Sequence, residues 1–485
     1  MRLTHSRFVR VLAGLLLLVV ACKTSPTKTQ DADRDPASIT ILYTNDEHGW
    51  MEASDDQDGA ASMAGLWRDS EGYNGDDRYL ILSGGDNWSG PAISTWFQGE
   101  SMTAVMNAMA YDASAIGNHE FDFKIEGLQA REAEANFPYL SANIRVKATG
   151  EIPDFATPYV VEESDGARVG IVGLSSLSTP FTTFPTHVED YEFIGYQEAL
   201  EAVLPQVRAQ SVDFVILLTH LTGSEMRDLA PYAAAQEIPL ILGGHSHEII
   251  NETVAGVSLM QTGSYMRGYG RVDLAFDPQA DGGMTLVTSL MQNKNGQPVA
   301  AVAAVVNLWR QRTDAELATE IGYADAEINR YQPALPNMVT DSWLWAMPQA
   351  DVALTNSGGI RQSIPAGSIT LATIVGVLPF ENHIVQLDLT GDQLIECAQG
   401  LEMAGLTHID GWKLADGSAV HPDSVYQVLT IDYLYSRTDN KFSTYDTEPY
   451  ETGVHYRQPV IDWIKSLATS PVNPLNGHLD TVARK

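Results

Sequence analysis

The sequence predicts a layered α/β fold whose functional residues lie along one edge of a sheet. Apolar runs typical of buried strands alternate with helical patterns through the first half of the chain. Several of these runs end in Asp, Asn or His; the clearest covers residues 111–116 and leads into the polar segment 117–122. Because α/β sheets place ligand sites at the carboxyl ends of their strands, these polar ends predict one shared site.

Length and charge limit the classes of protein that the chain can belong to. The 485 residues, 44% of them hydrophobic, suffice for more than one globular domain. The 62 acidic and 29 basic residues give a net charge of −33, which argues against polymeric nucleic acid as a partner, because that binding needs surface Lys and Arg. Small phosphate substrates remain compatible with this charge, since a bound cation dominates its surroundings.

The N-terminus is typical of an export signal. A basic start precedes an apolar run over residues 11–21 that is too short to span a membrane. The run ends in a sequence that resembles a bacterial lipobox, Leu18-Val19-Val20-Ala21-Cys22. Cys22 is therefore predicted to be the lipidated first residue of the mature chain, with an exported protein cleaved near Ala21 as the alternative. The following polar residues, 22–37, predict a flexible tether.

Five strand ends carry the candidate site of the first domain. The residues there that can bind a metal or move a proton are Asp46, His48, Asp86, Asn118, His119, Asp122, His220, His245 and His247. Within each Asp-x-His or His-x-His pair, two-residue spacing on an extended backbone points both side chains the same way. Each motif alone fits an ordinary surface turn or a polar residue whose hydrogen bonds are satisfied. Five such motifs, each at the end of a predicted strand, together predict a metal site.

The residue types define the chemistry. Carboxylate, carboxamide and imidazole groups suit Zn, Mn, Fe, Mg or Ca. Seven candidate ligands are too many for one tetrahedral ion and favour two ions that share a carboxylate, an arrangement that supports phosphate ester hydrolysis. An imidazole oriented by a carboxylate would stabilise charge on the phosphoryl group or the leaving oxygen, and His119 with Asp122 can supply that pair.

The chain changes character from residue 297. Residues 300–317 predict a long helix that connects two domains, and later strands near 351–355, 383–389 and 426–430 predict a second, smaller α/β domain. The predicted organisation is a signal peptide, a tether, a first domain, a connector and a second domain, over residues 1–21, 22–37, 38–296, 297–332 and 333–485.

The order and spacing of the motifs resemble those of the calcineurin-like metallophosphoesterases. The segments that carry this resemblance are Asp46-Glu47-His48, Gly85-Asp86-Asn87, Gly117-Asn118-His119-Glu120, His220 and Gly244-His245-Ser246-His247. Residues 356–361 and 379–380 are similar to the C-terminal domain of the 5′-nucleotidases. The resemblance implies an N-terminal four-layer αββα sandwich with two divalent metal ions, followed by a smaller α/β substrate-binding domain.

The resemblance also implies a role for each matching residue. One ion would be held by Asp46, His48 and His247 and the other by Asn118, His220 and His245, with Asp86 bridging and His119–Asp122 as the catalytic dyad. In the second domain, the implied substrate contacts are Asn356, Arg361, an aromatic clamp of Phe380 and Tyr433 around the nucleobase, and Asp439 near the nucleoside.

Two departures from the family pattern bear on specificity. Residues 436–440 replace the family's Gly-Gly-Asp-Gly stretch, and an Arg that contacts substrate phosphate is replaced, by spacing, by Gln349. Phe380 and Tyr433 also fit as core aromatic residues, and Arg361 as a surface ion pair. The histidines of the second half, including His383, lack ligand spacing and are interpreted as ordinary polar residues.

The function implied is a phosphohydrolase that removes phosphate from nucleoside 5′-monophosphates outside the cytoplasm. A 2′,3′-cyclic nucleotide phosphodiesterase and a nucleotide-sugar pyrophosphohydrolase are the enzyme alternatives, and a nucleotide-binding lipoprotein is the alternative without turnover. The expected partners are a small nucleotide and a membrane reached only through the lipid anchor. Because Lys23 rather than Asp follows Cys22, the outer membrane is favoured; no obligate protein partner is implied.

Overall fold

The computed structural model describes residues 37–75, 78–164, 166–276 and 284–485. The predicted signal peptide, the lipidation site Cys22 and all of the tether but residue 37 lie outside the described residues. Within these ranges, every helix is too short or too polar to cross a lipid bilayer.

Two six-stranded sheets form the first part of the chain. Its strands are β1 (Ala37–Thr44), β2 (Tyr79–Ser83), β3 (Ala113–Ala115), β4 (Tyr139–Leu140), β5 (Ile144–Val146), β6 (Tyr159–Ser164), β7 (Ala167–Ser175), β8 (Tyr191–Phe193), β9 (Phe214–His220), β10 (Leu240–Leu242), β11 (Ile249–Val254), β12 (Val257–Thr262), β13 (Gly268–Phe276) and β14 (Met284–Gln292). The strand orders are β14-β13-β1-β2-β3-β4 and β11-β12-β10-β9-β7-β6. In each sheet four parallel strands are flanked by antiparallel ones, and β5 pairs with β8 separately.

Helices cover the outer face of each sheet. They are α1 (Gly59–Asp69), α2 (Ala92–Thr95), α3 (Glu100–Ala108), α4 (Lys124–Glu134), α5 (Thr179–Thr182), α6 (Tyr196–Arg208), α7 (Gly223–Ala235) and α8 (Ala300–Leu317). Side chains alternate along a strand, so Ile41 of β1 packs between the sheets while Leu42 packs under the helices α1, α3, α4 and α8. In the second sheet, Ile216 faces inward and Leu217 packs on α6 and α7. The result is the αββα sandwich.

A second core begins at Ile321 and extends to Leu475. Its elements are β15 (Glu320–Ala324), α9 (Ala334–Ala346), β16 (Val352–Thr355), β17 (Gly367–Thr370), α10 (Leu371–Val377), β18 (His383–Thr390), α11 (Gly391–Cys397), β19 (Glu402–Ala404), β20 (Leu406–Thr407), β21 (Lys413–Leu414), β22 (Val425–Ile431), α12 (Asp432–Ser436), α13 (Phe442–Tyr445), β23 (Tyr450–His455) and α14 (Gln458–Ser466). A five-stranded sheet, β19-β16-β22-β18-β23, lies at its centre.

The predicted α/β class and the two-part architecture are confirmed. The helix predicted at 300–317 is α8, whereas the strand predicted at 111–116 is shorter, Ala113–Ala115. The predicted domain boundaries themselves stay predictions. The two parts meet where Ala92 of α2, Leu317 of α8 and Val375 of α10 form a small apolar cluster, which fixes the second part beside the strand ends of the first.

Candidate metal centre and substrate cleft

The sequence-predicted ligands converge at the carboxyl ends of strands from both sheets. In the first sheet, the ligands that follow strands β1, β2 and β3 are Asp46, His48, Asp86 and Asn118. In the second sheet, the last residue of β9 is His220, and the ligands that follow β10 are His245 and His247. A hydrogen bond joins the two sheets at this edge, because the Tyr43 hydroxyl of β1 donates to the carbonyl oxygen of Gly243, which follows β10, over 2.5 Å. The predicted grouping of these residues is therefore present in the fold.

Five of the seven predicted ligands have left-handed backbone. The φ angles are between 46° and 68° for Asp46, His48, Asp86, His245 and His247. Such values are uncommon for residues other than glycine and cost on the order of 1–3 kcal/mol each. The fold accepts this cost where the chain leaves a strand and turns its polar side chain into the site, which is the behaviour expected of functional residues.

The side chains form two neighbouring groups with ligand geometry. One contains Asp46, His48 and His247, and the other contains Asp86, His220 and His245; within each group one ligand atom per residue lies within 4.8 Å of the others. Asp86 Oδ2 is 3.1 Å from His220 Nε2 and 3.8 Å from His48 Nε2. Asp86 thus lies between the groups, where a bridging carboxylate is required.

The donor set fits a pair of divalent ions. Asn118 Oδ1 is buried and makes no hydrogen bond within the described part of the chain, a state that is rare for buried polar atoms; His220 Nε2 is also buried and has the Asp86 carboxylate 3.1 Å away. His48 and His220 each direct Nδ1 to a main-chain carbonyl, of Ser89 at 2.8 Å and Gly84 at 2.7 Å. These bonds place the ring proton on Nδ1 and leave Nε2 as the ligand atom.

Burial and neighbouring charges separate the pKa values of the site. Burial lowers the pKa of His48 well below its usual range and that of His245 to about 4, so both rings are neutral ligands at pH 7. Burial also lowers the pKa of His220, but the adjacent Asp86 carboxylate outweighs it and raises the value to about 10, so an ion bound at Nε2 would displace a proton from this ring. Burial would raise the pKa of Asp86, whereas His220 and His119 hold it well below its usual range.

The predicted dyad is formed. His119 Nδ1 lies 2.7 Å from Asp122 Oδ2, and the Ser89 hydroxyl donates to the same carboxylate oxygen. The backbone N–H of His119 donates to Asp86 Oδ1 over 2.8 Å. His119 also offers a ring nitrogen within 4.8 Å of ligand atoms of His48 and Asp86. The geometry supports an imidazole oriented by Asp122 at the edge of the metal centre.

Two buried carboxylates beneath the site shape its loops, and the sequence analysis gave neither a role. Glu120 accepts the backbone N–H groups of Asp86, Asn87 and Gly117 over 2.7–2.9 Å. Burial and the Asp86 charge raise the pKa of Glu120 to about 8. Glu47 accepts from Asn87 Nδ2 and the Ser83 hydroxyl, both over 3.0 Å. These bonds hold the loops after β2 and β3 in one arrangement.

A cleft of about 860 Å³ opens from the metal centre toward the second part of the chain. It is lined there by Asn356, Arg361, Phe380 and Tyr433, four of the five predicted substrate contacts. Arg361 Nη2 lies 3.3 Å from His48 Nε2. Both parts of the chain therefore face the same space. Phe380 and Tyr433 line the cleft and also pack against the second core.

Two predicted positions lie elsewhere. Asp439 is not among the residues that line the cleft, and Arg437 forms a two-pronged ion pair with its carboxylate. Gln349 also lies outside the lining and donates to Gln386 over 3.3 Å. His383, interpreted as an ordinary polar residue, is the first residue of β18 and lies on the cleft wall.

The sequence matches two family models. Residues 39–248 match the calcineurin-like phosphoesterase model, and residues 316–403 match the C-terminal domain model of the 5′-nucleotidases. The chain belongs to the 5′-nucleotidase family. This membership, with the paired ligand groups, makes the chain a metal-dependent phosphoric ester hydrolase that uses two divalent ions.

Similar proteins cover most of this family member. A 5′-nucleotidase of Vibrio cholerae is 28% identical over 451 residues, which are 79% of each chain. The trifunctional nucleotide phosphoesterase protein YfkN of Bacillus subtilis is 27% identical over 84% of the chain, which spans 30% of that longer protein. The crystal structure of a 5′-nucleotidase precursor from Thermus thermophilus has a TM-score of 0.76 at 22% identity, over 92% of this chain and 98% of that one. This last likeness shows the shared fold.

The cleft of this 5′-nucleotidase family member has a wall that the sequence analysis missed. Phe123, Phe184 and His187 line it from the first part of the chain, and Asp432 from the second. Phe184 and His187 follow no strand-end pattern, since they lie in a loop and a short 3₁₀ turn, Pro185–His187, whereas Asp432 directly follows β22. The sequence feature that could have indicated this wall is an aromatic residue next to proline in a polar loop, Phe184-Pro185.

Proposed function

We propose that this enzyme removes phosphate from nucleoside 5′-monophosphates outside the cytoplasm. One observation carries the proposal: the metal centre of the first part and the aromatic residues of the second part face one cleft, with Arg361 Nη2 only 3.3 Å from His48 Nε2. A phosphate at the metal centre would therefore have its organic group between the two parts.

The metal ligands are assigned from the two groups. Asp46, His48 and His247 would hold one ion, and Asn118, His220 and His245 the other, with Asp86 between them; these groupings are supported by the ligand distances and by the unpartnered Asn118 Oδ1. When bound, the two ions supply an activated water and neutralise phosphate charge. Arg361 adds a guanidinium at the same place, where it can form paired hydrogen bonds to phosphate oxygens.

His119 and Asp122 act on the reacting phosphate ester. The bond between His119 Nδ1 and Asp122 Oδ2 fixes the ring orientation and leaves Nε2 for the substrate. Burial lowers the pKa of His119, but Asp122 and Asp86 outweigh it and raise the value, which favours the protonated ring. A protonated Nε2 can donate to a phosphoryl oxygen or to the leaving oxygen as charge develops there.

The second part of the chain binds the nucleoside. Asn356 and Arg361 line the cleft, with Arg361 beside His48, and the rings of Phe380 and Tyr433 offer stacking surfaces for a nucleobase. The pairing of Asp439 with Arg437 weakens the case for Asp439 as a ribose contact. We retain it as a candidate because its carboxylate is half exposed.

The cellular location is part of the proposal. The basic, apolar and small-residue order of residues 2–22 supports export and attachment through lipidated Cys22. The net charge of −33 argues against polymeric nucleic acid as a partner, and the proposal includes no obligate protein partner. Outer-membrane attachment, with the enzyme in the periplasm or at the cell surface, agrees with Lys23 after the cysteine.

A substrate panel tests the proposal. Nucleoside 5′-monophosphates, 2′,3′-cyclic nucleotides, nucleotide sugars and an aryl phosphate are each assayed with Mn, Zn, Mg and Ca. We expect the highest kcat/KM for a nucleoside 5′-monophosphate. A higher value for a cyclic nucleotide or a nucleotide sugar would replace the proposed substrate, and tight nucleotide binding without turnover under every metal would indicate a binding lipoprotein.

A further inference from the structure

A loop of the metal-binding part reaches the organic end of the cleft. Phe184 lies in the segment between α5 and the 3₁₀ turn Pro185–His187, and it lines the cleft together with His187. The two rings stack, with centroids 5.0 Å apart and planes inclined by 23°. Half-buried Phe184 therefore presents an aromatic surface that is already supported from one side.

His187 anchors this stack to the core of its domain. Its Nδ1–H donates to the main-chain oxygen of Phe121 over 2.8 Å, and the Phe121 side chain is fully buried. Phe121 directly precedes Asp122 of the dyad. The position of Phe184 is thus set by the same short segment that orients His119.

The two rings of the predicted clamp each have another ring as a neighbour. Phe380 stacks on His119, whereas the Tyr433 centroid lies 6.3 Å from that of Phe184, with the planes inclined by 50°. The Tyr433 hydroxyl donates to the Phe181 carbonyl oxygen over 3.2 Å, and the Arg437 guanidinium lies 5.5 Å from the ring centroid. Tyr433 is therefore held against the loop that carries Phe184, with one face already used by a cation.

We propose that Phe184 determines specificity by forming a third aromatic wall of the substrate cleft, contributed by the metal-binding domain, against which the ring of the leaving group packs. The proposal rests on the proposed function, in which that ring is a nucleobase. Aromatic rings in proteins stack on every base and lose little conformational freedom in doing so. Because Phe184 and Tyr433 come from different domains, the ring of the substrate would contact both domains at once.

The test compares two neighbouring phenylalanines, Phe181 in α5 and Phe184 in the segment that follows it. Phe184→Ala is made beside Phe181→Ala, whose side chain is 53% exposed and does not line the cleft. The readout is the ratio of kcat/KM for adenosine 5′-monophosphate to that for glycerol phosphate, which has no ring. We expect Phe184→Ala to lower this ratio about 5- to 150-fold, the range for loss of one stacking partner, and Phe181→Ala to keep the wild-type ratio.

Equal losses on both substrates in Phe184→Ala would show a structural role and overturn the proposal. Metal content and the thermal unfolding midpoint are measured for each variant, and Phe184→Leu, which keeps the apolar volume, should retain the fold with an intermediate ratio. A Phe184→Ala effect that disappears in a Tyr433→Ala background would mean that Phe184 only supports Tyr433, which also overturns the proposal. If the wild type ignores nucleotides, the proposed function fails, and the ratio of aryl phosphate to glycerol phosphate decides the role of Phe184 instead.

Discussion

The ring of Phe380 stacks on the imidazole of His119, with centroids 5.8 Å apart and planes inclined by 17°. One residue comes from the second part of the chain and the other from the dyad beside the metal ligands. The contact means that a side chain predicted to bind the nucleobase also packs on the imidazole predicted to act on phosphate. The ring predicted to bind the nucleobase and the imidazole predicted to act on phosphate are therefore in direct contact.

Phe380→Ala should affect nucleotides more than an aryl phosphate. Loss of the stacking wall raises KM for a nucleoside monophosphate about 5- to 150-fold. Loss of the contact to His119 lowers kcat for both substrates, because the imidazole is then less firmly oriented. Steady-state kinetics on both substrates separate the two effects, and equal changes in KM would show that Phe380 is structural.

His119→Ala should lower kcat roughly 10²–10⁴-fold while the protein keeps its metal ions. Asp122→Asn should act in the same direction, since the Asp122 carboxylate is 2.7 Å from His119 Nδ1 and fixes the ring. Elemental analysis accompanies the kinetics. Because His119 also lies within ligand range of His48 and Asp86, loss of an ion from His119→Ala would identify it as a ligand instead.

Asp86→Ala should disturb both ions at once. Asp86 lies between the two ligand groups, 3.1 Å from His220 and 3.8 Å from His48. We expect elemental analysis to show loss of metal from both sites and activity to fall to background. Asp122→Asn, a carboxylate change outside the ligand groups, is the matched control that keeps its metal. An Asp86→Ala protein with both ions in place would contradict the bridging assignment.

The sequence was sufficient to predict the metal centre because its residues obey a local rule. Asp46, Asp86 and His245 each follow an apolar strand, and strand ends of α/β sheets meet at one edge. The position of each polar residue after an apolar run was therefore enough to predict that these side chains lie close together. The αββα layers were implied by the family resemblance, whereas the apolar runs alone predicted only a layered α/β sheet; β9, buried along its whole length, is one of these runs.

The substrate cleft was predicted less well because its walls come from loops of two domains. The position of Phe184 depends on a bond from His187 to a carbonyl 66 residues away, for which no periodic pattern exists. Asp439 has the spacing expected of a substrate contact, but Arg437, two residues earlier, pairs with it. Such side-chain pairing depends on rotamers and on the turn geometry rather than on sequence spacing.

Cys22→Ser should release the protein from membranes. The lipobox-like sequence before Cys22 motivates this prediction. Cells that express wild type, Cys22→Ser or Cys397→Ala are fractionated, with Cys397 as the control because it is the other cysteine and is buried in the second core. Wild type and Cys397→Ala should stay in the membrane fraction. If Cys22→Ser remains there as firmly as wild type, the anchor is elsewhere.

Asp112→Asn should change how stability depends on pH. Asp112 joins β2 to the start of β3: its carboxylate accepts from the Ile81 N–H over 2.7 Å, and its own N–H donates to the Ile81 oxygen over 2.8 Å. Burial raises the pKa of this carboxyl from 3.8 to about 6. The folded protein therefore binds this proton more tightly than the unfolded chain, and the associated stability, present below pH 3.8, is lost as the pH rises through about 6.

Asparagine keeps an oxygen acceptor for Ile81 and does not ionise, so the variant should not suffer this loss. Between pH 4 and pH 7, the unfolding free energy of Asp112→Asn should rise relative to wild type by up to about 3 kcal/mol, from 1.36 kcal/mol per pKa unit. Urea unfolding of both metal-free proteins at the two pH values measures the difference, and protonation of the metal ligands cancels because both proteins share it. A difference that stays constant with pH would show that the Asp112 carboxyl is already ionised in the folded protein at pH 4.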